Sequence, residues 1–490
     1  MEVNLSEATG ILQNNLVTNS QSISTNGIKG PVHFIGIGGI GMSALARILL
    51  AKGIEVSGSD RANSELLEEL KSKGAKIFIG HQGSNVKGSG SVVVSTAITD
   101  DNPEMVEALA AKIPVIHRSQ MLALLTQGHK LLGVSGTHGK TTTTGMLAQI
   151  LVDGGLDPTV VVGGVFTKIG SNSRYGKGDY FVAEIDESDG THISVNPSIG
   201  VITNIETDHL ENYPGGLEEI LQSMVTFCTQ TKDLLVVCLD DPGCQRLLEI
   251  LPKDKVPKIL TYSTKKETIN SDYSFESTNS FGFRVHQGDV LLGETKLSVP
   301  GTHNKSNALA CCVVGLYLGI PFETISASLN AFCGVNRRFQ ILGTETGITV
   351  IDDYAHHPTE VVATLQAARE YLSESDLAKR LVILFQPHQP GRLKNHWTEF
   401  LNAFANADLV FISEIYIARG KPIQGVSSET FVNEMSHADA HYLPGKTDEL
   451  AKRVLPHLRK NDILMTVGAG DITKVGPQIL ELLRRDGRSS

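Results

Sequence analysis

Residues 136–142, Gly136-Thr137-His138-Gly139-Lys140-Thr141-Thr142, have the make-up of a phosphate cradle. Glycines let backbone N–H groups turn inward, Lys140 adds a point charge, and the Thr141 hydroxyl suits Mg²⁺. The loop is a shortened variant of the P-loop pattern, with Gly136 as its first glycine. Further on, Glu184-Ile185-Asp186-Glu187-Ser188-Asp189 places four carboxylates within six residues. Such a cluster repels itself unless a cation compensates it. The segment Thr203–His209 ends in an imidazole. At the ends of neighbouring strands, Glu184 and His209, with Thr141, could hold a hard divalent ion at the terminal phosphate of a nucleotide; solvated loop carboxylates and a packing histidine are the rival reading. The 16 histidines include no HExxH or other zinc spacing.

A second glycine loop precedes this one. Gly36-Ile37-Gly38-Gly39-Ile40-Gly41 fits GxGxxG, and Asp60 follows it. Alone, the pattern says that a pyrophosphate can approach a helix N-terminus, whether in a dinucleotide or another nucleotide. A tight turn for helix–sheet packing is the plainer alternative. Later polar segments fall at strand or helix ends. Gly301–Asn307 offers the amides of Asn304 and Asn307 for a base, although asparagine before a helix is usually a cap. Arg338 can reach phosphates or form a surface pair. Asp352-Asp353-Tyr354-Ala355-His356-His357-Pro358 and Phe385–Arg392 are two more such loops.

These residues need elements to carry them. Val32–Ile35 reads as a strand running into the first glycine loop, followed by a helix from about Gly41 to Ala51 and a strand ending near Asp60. The alternation continues through Ile79, Val92–Val94 and Ile113–Ile116, which is the pattern of βαβ units on a parallel sheet. Lys130–Val134 opens a second domain, with strands at Tyr180–Ile185, Ile199–Thr203 and Leu234–Leu239. Tyr262–Leu297 alternates like antiparallel strands, and Asn304–Leu318 is a helix. A third domain has strands at Thr349–Asp352, Leu381–Phe385, Leu409–Ile412 and Ile463–Val467. The expected order is a loose tail over 1–30, then domains over 31–127, 128–335 and 336–490.

The 490 residues are 41 % hydrophobic and 20 % charged, which excludes wholesale disorder and calls for several domains. A net charge of -10 argues against a nucleic-acid or anionic-membrane partner. Six scattered cysteines suit buried free thiols in a reducing compartment. With no secretory signal at the N-terminus and no apolar run of spanning length, a cytoplasmic enzyme is expected.

Taken together, these segments resemble the Mur ligase family, from about Pro31 to Lys474. The resemblance is carried by Gly36–Gly41 with Met42-Ser43, His117-Arg118, Gly136–Thr144, Glu184–Asp189, Asn204–His209, Gly301–Asn307, Arg338, Asp353–Pro358 and Gly468-Ala469-Gly470-Asp471. It implies an α/β protein of three domains: a Rossmann-like UDP-binding domain, a central P-loop ATPase-like domain with a mostly parallel sheet, and a Rossmann-like amino-acid-binding domain. Within the family the motifs point to the branch that joins L-alanine to the lactyl carboxylate of UDP-N-acetylmuramate. ATP is consumed through an acyl phosphate, and ADP and phosphate leave. The alternative is the branch that recycles a murein tripeptide onto the same UDP-sugar.

The resemblance also implies roles. Gly36, Gly38, Gly39, Gly41, Met42, Asp60, Ser95, His117, Arg118 and Asp189 would bind the UDP-sugar. Gly136, Thr137, His138, Gly139, Lys140, Thr141 and Thr142 would hold the ATP phosphates, with Asn304 at adenine, Arg338 at the phosphates and Asp353 at the ribose. Thr141, Glu184 and His209 would serve two Mg²⁺ ions. His357 would lie at the transfer centre, with His388 and Arg392 near the alanine, whose carboxylate Arg392 would bind. A monomer or homodimer is expected. After Pro387-His388 the branch that takes L-alanine usually has Arg-Tyr-Ser/Thr-Arg, whereas this chain has Gln389-Pro390-Gly391-Arg392.

Overall fold

The computed structural model describes residues 28, 30–166, 168–208, 210, 212–267, 270–374, 380–418 and 421–487. The expected tail, apart from residues 28 and 30, lies outside these. So does His209.

Among the described residues, three sheets carry the fold. The first is built from β1 (Val32–Ile35), β2 (Val56–Asp60), β3 (Lys76–Ile79), β4 (Ser91–Val94) and β5 (Val115–His117), in the order β3-β2-β1-β4-β5. Every pairing is parallel. β1 and β4 are buried throughout, as strands covered on both faces must be. Sequence order reverses between β1 and β4, so the loop after β1 opens at the switch point where such sheets take ligands. Helix α1 (Ile40–Ala51) starts there, followed by α2 (Glu65–Ser72), α3 (Pro103–Ala110) and α4 (Arg118–Thr126). Their starts follow capping chemistry: Ser64 accepts from Leu67 N–H at α2, and Asn102 precedes Pro103 at α3.

The second sheet begins with β6 (Lys130–Ser135), followed by α5 (Lys140–Asp153), β7 (Thr159–Phe166), β8 (Ser171–Arg174), β9 (Tyr180–Glu184), β10 (Ile199–Ile202), β11 (Leu234–Cys238) and β12 (Lys258–Ser263). β13 (Tyr273–Ser277), β14 (Gly282–Gln287) and β15 (Val290–Lys296) complete the order β15-β14-β13-β12-β11-β10-β6-β9-β7-β8. β6 therefore lies between β9 and β10. The register sets Val134 opposite Glu184 and Ser135 opposite Ile202. β12 and β13 pair in parallel. The β7–β8 hairpin is absent from the strands expected above, and it is antiparallel with a register shift between Val161 and Phe166.

The third sheet has β16 (Gln340–Glu345), β17 (Ile348–Asp353), β18 (Arg380–Phe385), β19 (Leu409–Ile412), β20 (Ala440–Tyr442) and β21 (Asp462–Val467), in the order β16-β17-β21-β18-β19-β20. Only β16 runs antiparallel among these pairings. Apolar side chains cover both faces, with Leu381, Ile383 and Phe385 on one and Val382 and Leu384 on the other. By contacts the chain divides into two compact units. One spans residues up to 275 with 285–293 and 307–329, and the other takes 276–284, 294–306 and 330–490.

Five cysteines are buried and Cys333 is exposed, all with free thiols. Burial pushes the Cys238 thiol up to about 11, so it is an inert packing group. Among the described residues no helix is long and apolar enough to cross a membrane.

Candidate active site

In the first unit, three neighbouring strands end together. β6 leads into Gly136–Gly139, β9 ends at Glu184, and β10 leads into Thr203–Glu206. Parallel strands in register bring these three loops to one sheet edge. The phosphate-type loop is shaped by glycines at positive φ, Gly136 (+128°) and Gly139 (+81°), the latter capping α5. A Cβ at 139 would stand 2.7 Å from Asn307 Oδ1. The β10 loop braces the cradle from the other side. His138 N–H donates to Asn204 Oδ1 at 2.8 Å, Thr137 N–H to the Asn204 carbonyl at 3.0 Å, and Glu206 N–H to Thr137 Oγ1 at 2.8 Å. The His138 ring lies 3.7 Å from Glu206.

The carboxylate cluster divides by partner. Glu187 pairs with Lys140 at 2.8 Å, while Lys140 Nζ also donates to the carbonyls of Gly136 (2.6 Å) and Thr137 (3.0 Å). Burial alone would lower the Lys140 pKa, but Glu187, Asp186 and Glu184 more than reverse this, so the ammonium stays charged. Asp186 and Asp189 hold Arg118 at 3.0 and 2.7 Å. Burial would raise the Asp186 carboxyl, yet Lys140 and Arg118 keep it below the usual carboxylate range. The compensating cations expected for this cluster are thus two side chains, and Glu184 stands apart from those pairings. One of its oxygens accepts from Thr141 Oγ1 at 3.0 Å and the other from Gly163 N–H at 2.7 Å. A half-buried carboxylate beside a threonine hydroxyl at the mouth of the cradle is a donor set that fits Mg²⁺.

The first glycine loop belongs to the same unit. Gly36 has φ +77°, and Gly38 N–H donates to Asp60 Oδ2 at 2.9 Å. A Cβ at 38 would meet that oxygen at 2.7 Å, so Asp60 holds the loop itself. Gly39 caps α1 with no side-chain hydrogen bond to the helix end. Met42 is buried beneath it at 3 % exposure. A Cβ at Gly41 would stand 2.9 Å from an Arg118 nitrogen. His117 caps α4, its Nδ1 accepting from Ser119 N–H, and burial lowers its pKa. Ser95 follows β4, half-buried, on the same edge. Thr142 is buried in the first turn of α5.

Sequence reasoning missed Asn172 on β8. Buried at 1 % exposure, its amide donates to the Ile40 carbonyl and to Ser43 Oγ, and its oxygen accepts from Arg47. It ties α1 to the second sheet. No signal in Ser171-Asn172-Ser173 marks it.

In the second unit, Asn304 Nδ2 donates to the Pro300 carbonyl at 2.7 Å, closing its own loop. Asp353 accepts from Phe339 N–H (2.7 Å) and Ala355 N–H (2.8 Å), and burial raises its carboxyl to about 6 despite Arg338. Arg338 lies 3.5 Å from Glu360 and over the Tyr354 ring. His357 caps the helix Pro358–Ser373, its ring 4.5 Å from that of His396. His388 stacks on Tyr416, and Arg392 lies 3.4 Å from His388 Nδ1. Gln389, between them, has φ +69° and caps the helix Pro390–Asn395. Beyond the ends of β18, β19 and β21 opens a cavity of about 850 Å³, whose lining includes Gln386, Ser413, Tyr416, Thr447 and Asp471.

Family models agree with this architecture. Residues 31–130 match the Mur ligase family catalytic domain, 134–315 the Mur ligase middle domain, and 337–470 the Mur ligase glutamate ligase domain. The chain belongs to the Mur ligase family. Within it, the chain is similar to UDP-N-acetylmuramate–L-alanine ligases: 43 % identical to that of Geobacter sp. (strain M21) over 92 % of this chain and 97 % of the relative. Against that of Myxococcus xanthus it is 42 % identical, over 92 % and 95 %. The crystal structure of the UDP-N-acetylmuramate–alanine ligase MurC of Thermotoga maritima superposes with a TM-score of 0.78 at 31 % identity, covering 93 % of this chain and 99 % of that one. A murein peptide ligase of Psychrobacter arcticus shares the fold, with a TM-score of 0.68 at 24 % identity, over 92 % and 98 %.

Proposed function

We propose that this protein is an ATP-dependent ligase of the MurC type, joining L-alanine to the lactyl carboxylate of UDP-N-acetylmuramate in the building of peptidoglycan precursors. The observation that carries the reading is the meeting of Lys140, Thr141 and Glu184 at one sheet edge, with Thr141 Oγ1 3.0 Å from Glu184.

A carboxylate is a poor electrophile towards an amine. Its oxygen therefore attacks the γ-phosphorus of ATP, the bond to ADP breaks, and an acyl phosphate forms. The alanine nitrogen attacks that carbonyl carbon, and the tetrahedral intermediate expels inorganic phosphate to leave the amide. Lys140 and the N–H groups of Gly136–Gly139 offset the charge that gathers as two anions meet. Thr141 and Glu184, with His209, would hold Mg²⁺, which would supply further neutralisation. In this reading the loop Gly36–Gly41, with Met42, Asp60, Ser95, His117, Arg118 and Asp189, serves the UDP-sugar. Asn304, Arg338 and Asp353 serve the nucleotide, while His357, His388 and Arg392 serve the transfer centre and the alanine.

The test is phosphate release from MgATP and UDP-N-acetylmuramate, comparing L-alanine, glycine, L-serine and the murein tripeptide. Turnover with L-alanine preferred is expected. Turnover with the tripeptide and not with L-alanine overturns the acceptor assignment, and no turnover with any acceptor overturns the ligase reading.

A further inference from the structure

We propose that Gly163, a residue of the β7–β8 hairpin, is a positioning residue that sets the aim of the Glu184 carboxylate. The proposal rests on the reading of Glu184 and Thr141 as Mg²⁺-holding groups. β7 pairs in parallel with β9, with Val161 beside Ala183, so residue 163 comes level with the end of β9. There the Gly163 N–H donates to Glu184 Oε2 at 2.7 Å while Thr141 Oγ1 donates to Oε1 at 3.0 Å. Two donors from separate elements, one on each oxygen, fix the plane of the carboxylate.

The absence of a side chain at 163 is what lets the carboxylate lie there. A Cβ built on this residue stands 2.5 Å from Oε2 and 2.9 Å from both Cδ and Oε1. All three nearest atoms belong to the end of one flexible side chain, none to backbone, and Gly163 has no left-handed φ that alanine would resist. The residue is also exposed. A methyl group here is accommodated by the fold and refused by Glu184 in its present orientation. Asn172 on β8 is bonded to Ile40, Ser43 and Arg47 of α1, which ties the hairpin to that helix. The carboxylate must swing away from Thr141, and the two oxygen donors separate.

The test uses Gly163→Ala in the full chain, with Mn²⁺ as the probe ion. Mn²⁺ binding to the protein–ADP complex is followed by electron paramagnetic resonance, and folding by thermal melting. Mn²⁺ affinity is expected to fall about 10- to 100-fold, the usual effect of losing a group that orients a metal ligand, while the protein stays folded. In Gly163→Ala/Glu184→Asp the shorter acid clears the methyl, so the two losses are less than additive. Wild-type Mn²⁺ affinity in folded Gly163→Ala overturns the proposal, as do strict additivity in the double variant and failure of Gly163→Ala to fold. Glu184→Gln separates the two readings. If it leaves Mn²⁺ binding unchanged, the assignment of Glu184 to the metal falls. If it weakens binding and Gly163→Ala does not, only the role of Gly163 falls.

Discussion

Lys140 and Glu187 form an ion pair across the mouth of the phosphate-type loop, with the ammonium 2.8 and 3.1 Å from the two carboxylate oxygens and Glu187 4 % exposed. A nucleotide entering this loop meets a lysine whose charge is already matched. Glu187→Gln removes the match. Breaking a buried pair costs about 3–5 kcal/mol, so the melting temperature should fall. MgADP should then raise it by more in the variant than in the wild type, because phosphate supplies the missing charge. Equal shifts in the two proteins would show that the phosphates do not stand in for Glu187.

Arg118 is held by two acids, Asp186 and Asp189, the second 5 % exposed. Burial would lower the guanidinium pKa, but Asp189 and Asp186 raise it above its ordinary value. Arg118→Ala strands both carboxylates and should lower the unfolding free energy by about 3 kcal/mol in urea titrations. Arg118→Lys should recover less than half of that, since a point charge cannot serve two acids as a planar fork does. A loss under about 1 kcal/mol would put the pair among ordinary surface bridges.

Glu104, fully buried at the start of α3, accepts from Ser59 and Asn85 and lies 3.3 Å from His81 and 3.7 Å from His33. Burial alone would raise its pKa, but His33, Ser59 and Asn85 bring it down to about 2. A depressed folded-state pKa gives stability that is present above the unfolded value near 4.5 and is lost as pH falls towards 2. The group should contribute about 3 kcal/mol at neutral pH. Unfolding free energy measured between pH 5 and pH 2 should fall more steeply for the wild type than for Glu104→Gln. Parallel curves would remove Glu104 as the source.

Arg392 lies beside His388, and in the function proposed above it binds the carboxylate of the incoming amino acid. Arg392→Ala should raise KM for L-alanine about 10- to 100-fold, the worth of a charge-assisted hydrogen bond, and leave the MgADP dissociation constant unchanged. An unchanged KM would show that Arg392 does not bind the alanine carboxylate.

The three sheets were legible because short apolar strands alternate with helices and end in glycine or polar loops. Val32–Ile35, Lys76–Ile79 and Leu409–Ile412 carry that signal directly. Thr159–Arg174 was not legible as a hairpin. Gly163, Gly164 and Asn172 break any apolar alternation, and the strands are specified by their neighbours in the sheet. The acidic run 184–189 was visible, but its division among Thr141, Lys140 and Arg118 was not. Which cation meets which carboxylate depends on β6 lying between β9 and β10 and on α4 reaching the same edge, and neither relation is local in sequence. Asp60, Asn304 and Asp353 show the same limit, since each is a polar residue at a loop that turns inward onto backbone N–H or C=O groups.

The space beside Gly41 is filled by Arg118, so the last glycine of the GxGxxG pattern answers to another part of the chain as well as to any ligand. Positions 41, 118, 186 and 189 are joined by these contacts. In related sequences, a side chain at 41 is expected only where 118 is shorter, and a neutral residue at 118 only where an acid at 186 or 189 has gone too. A pattern usually taken as the signature of a bound nucleotide is, at its final residue, also the imprint of an arginine.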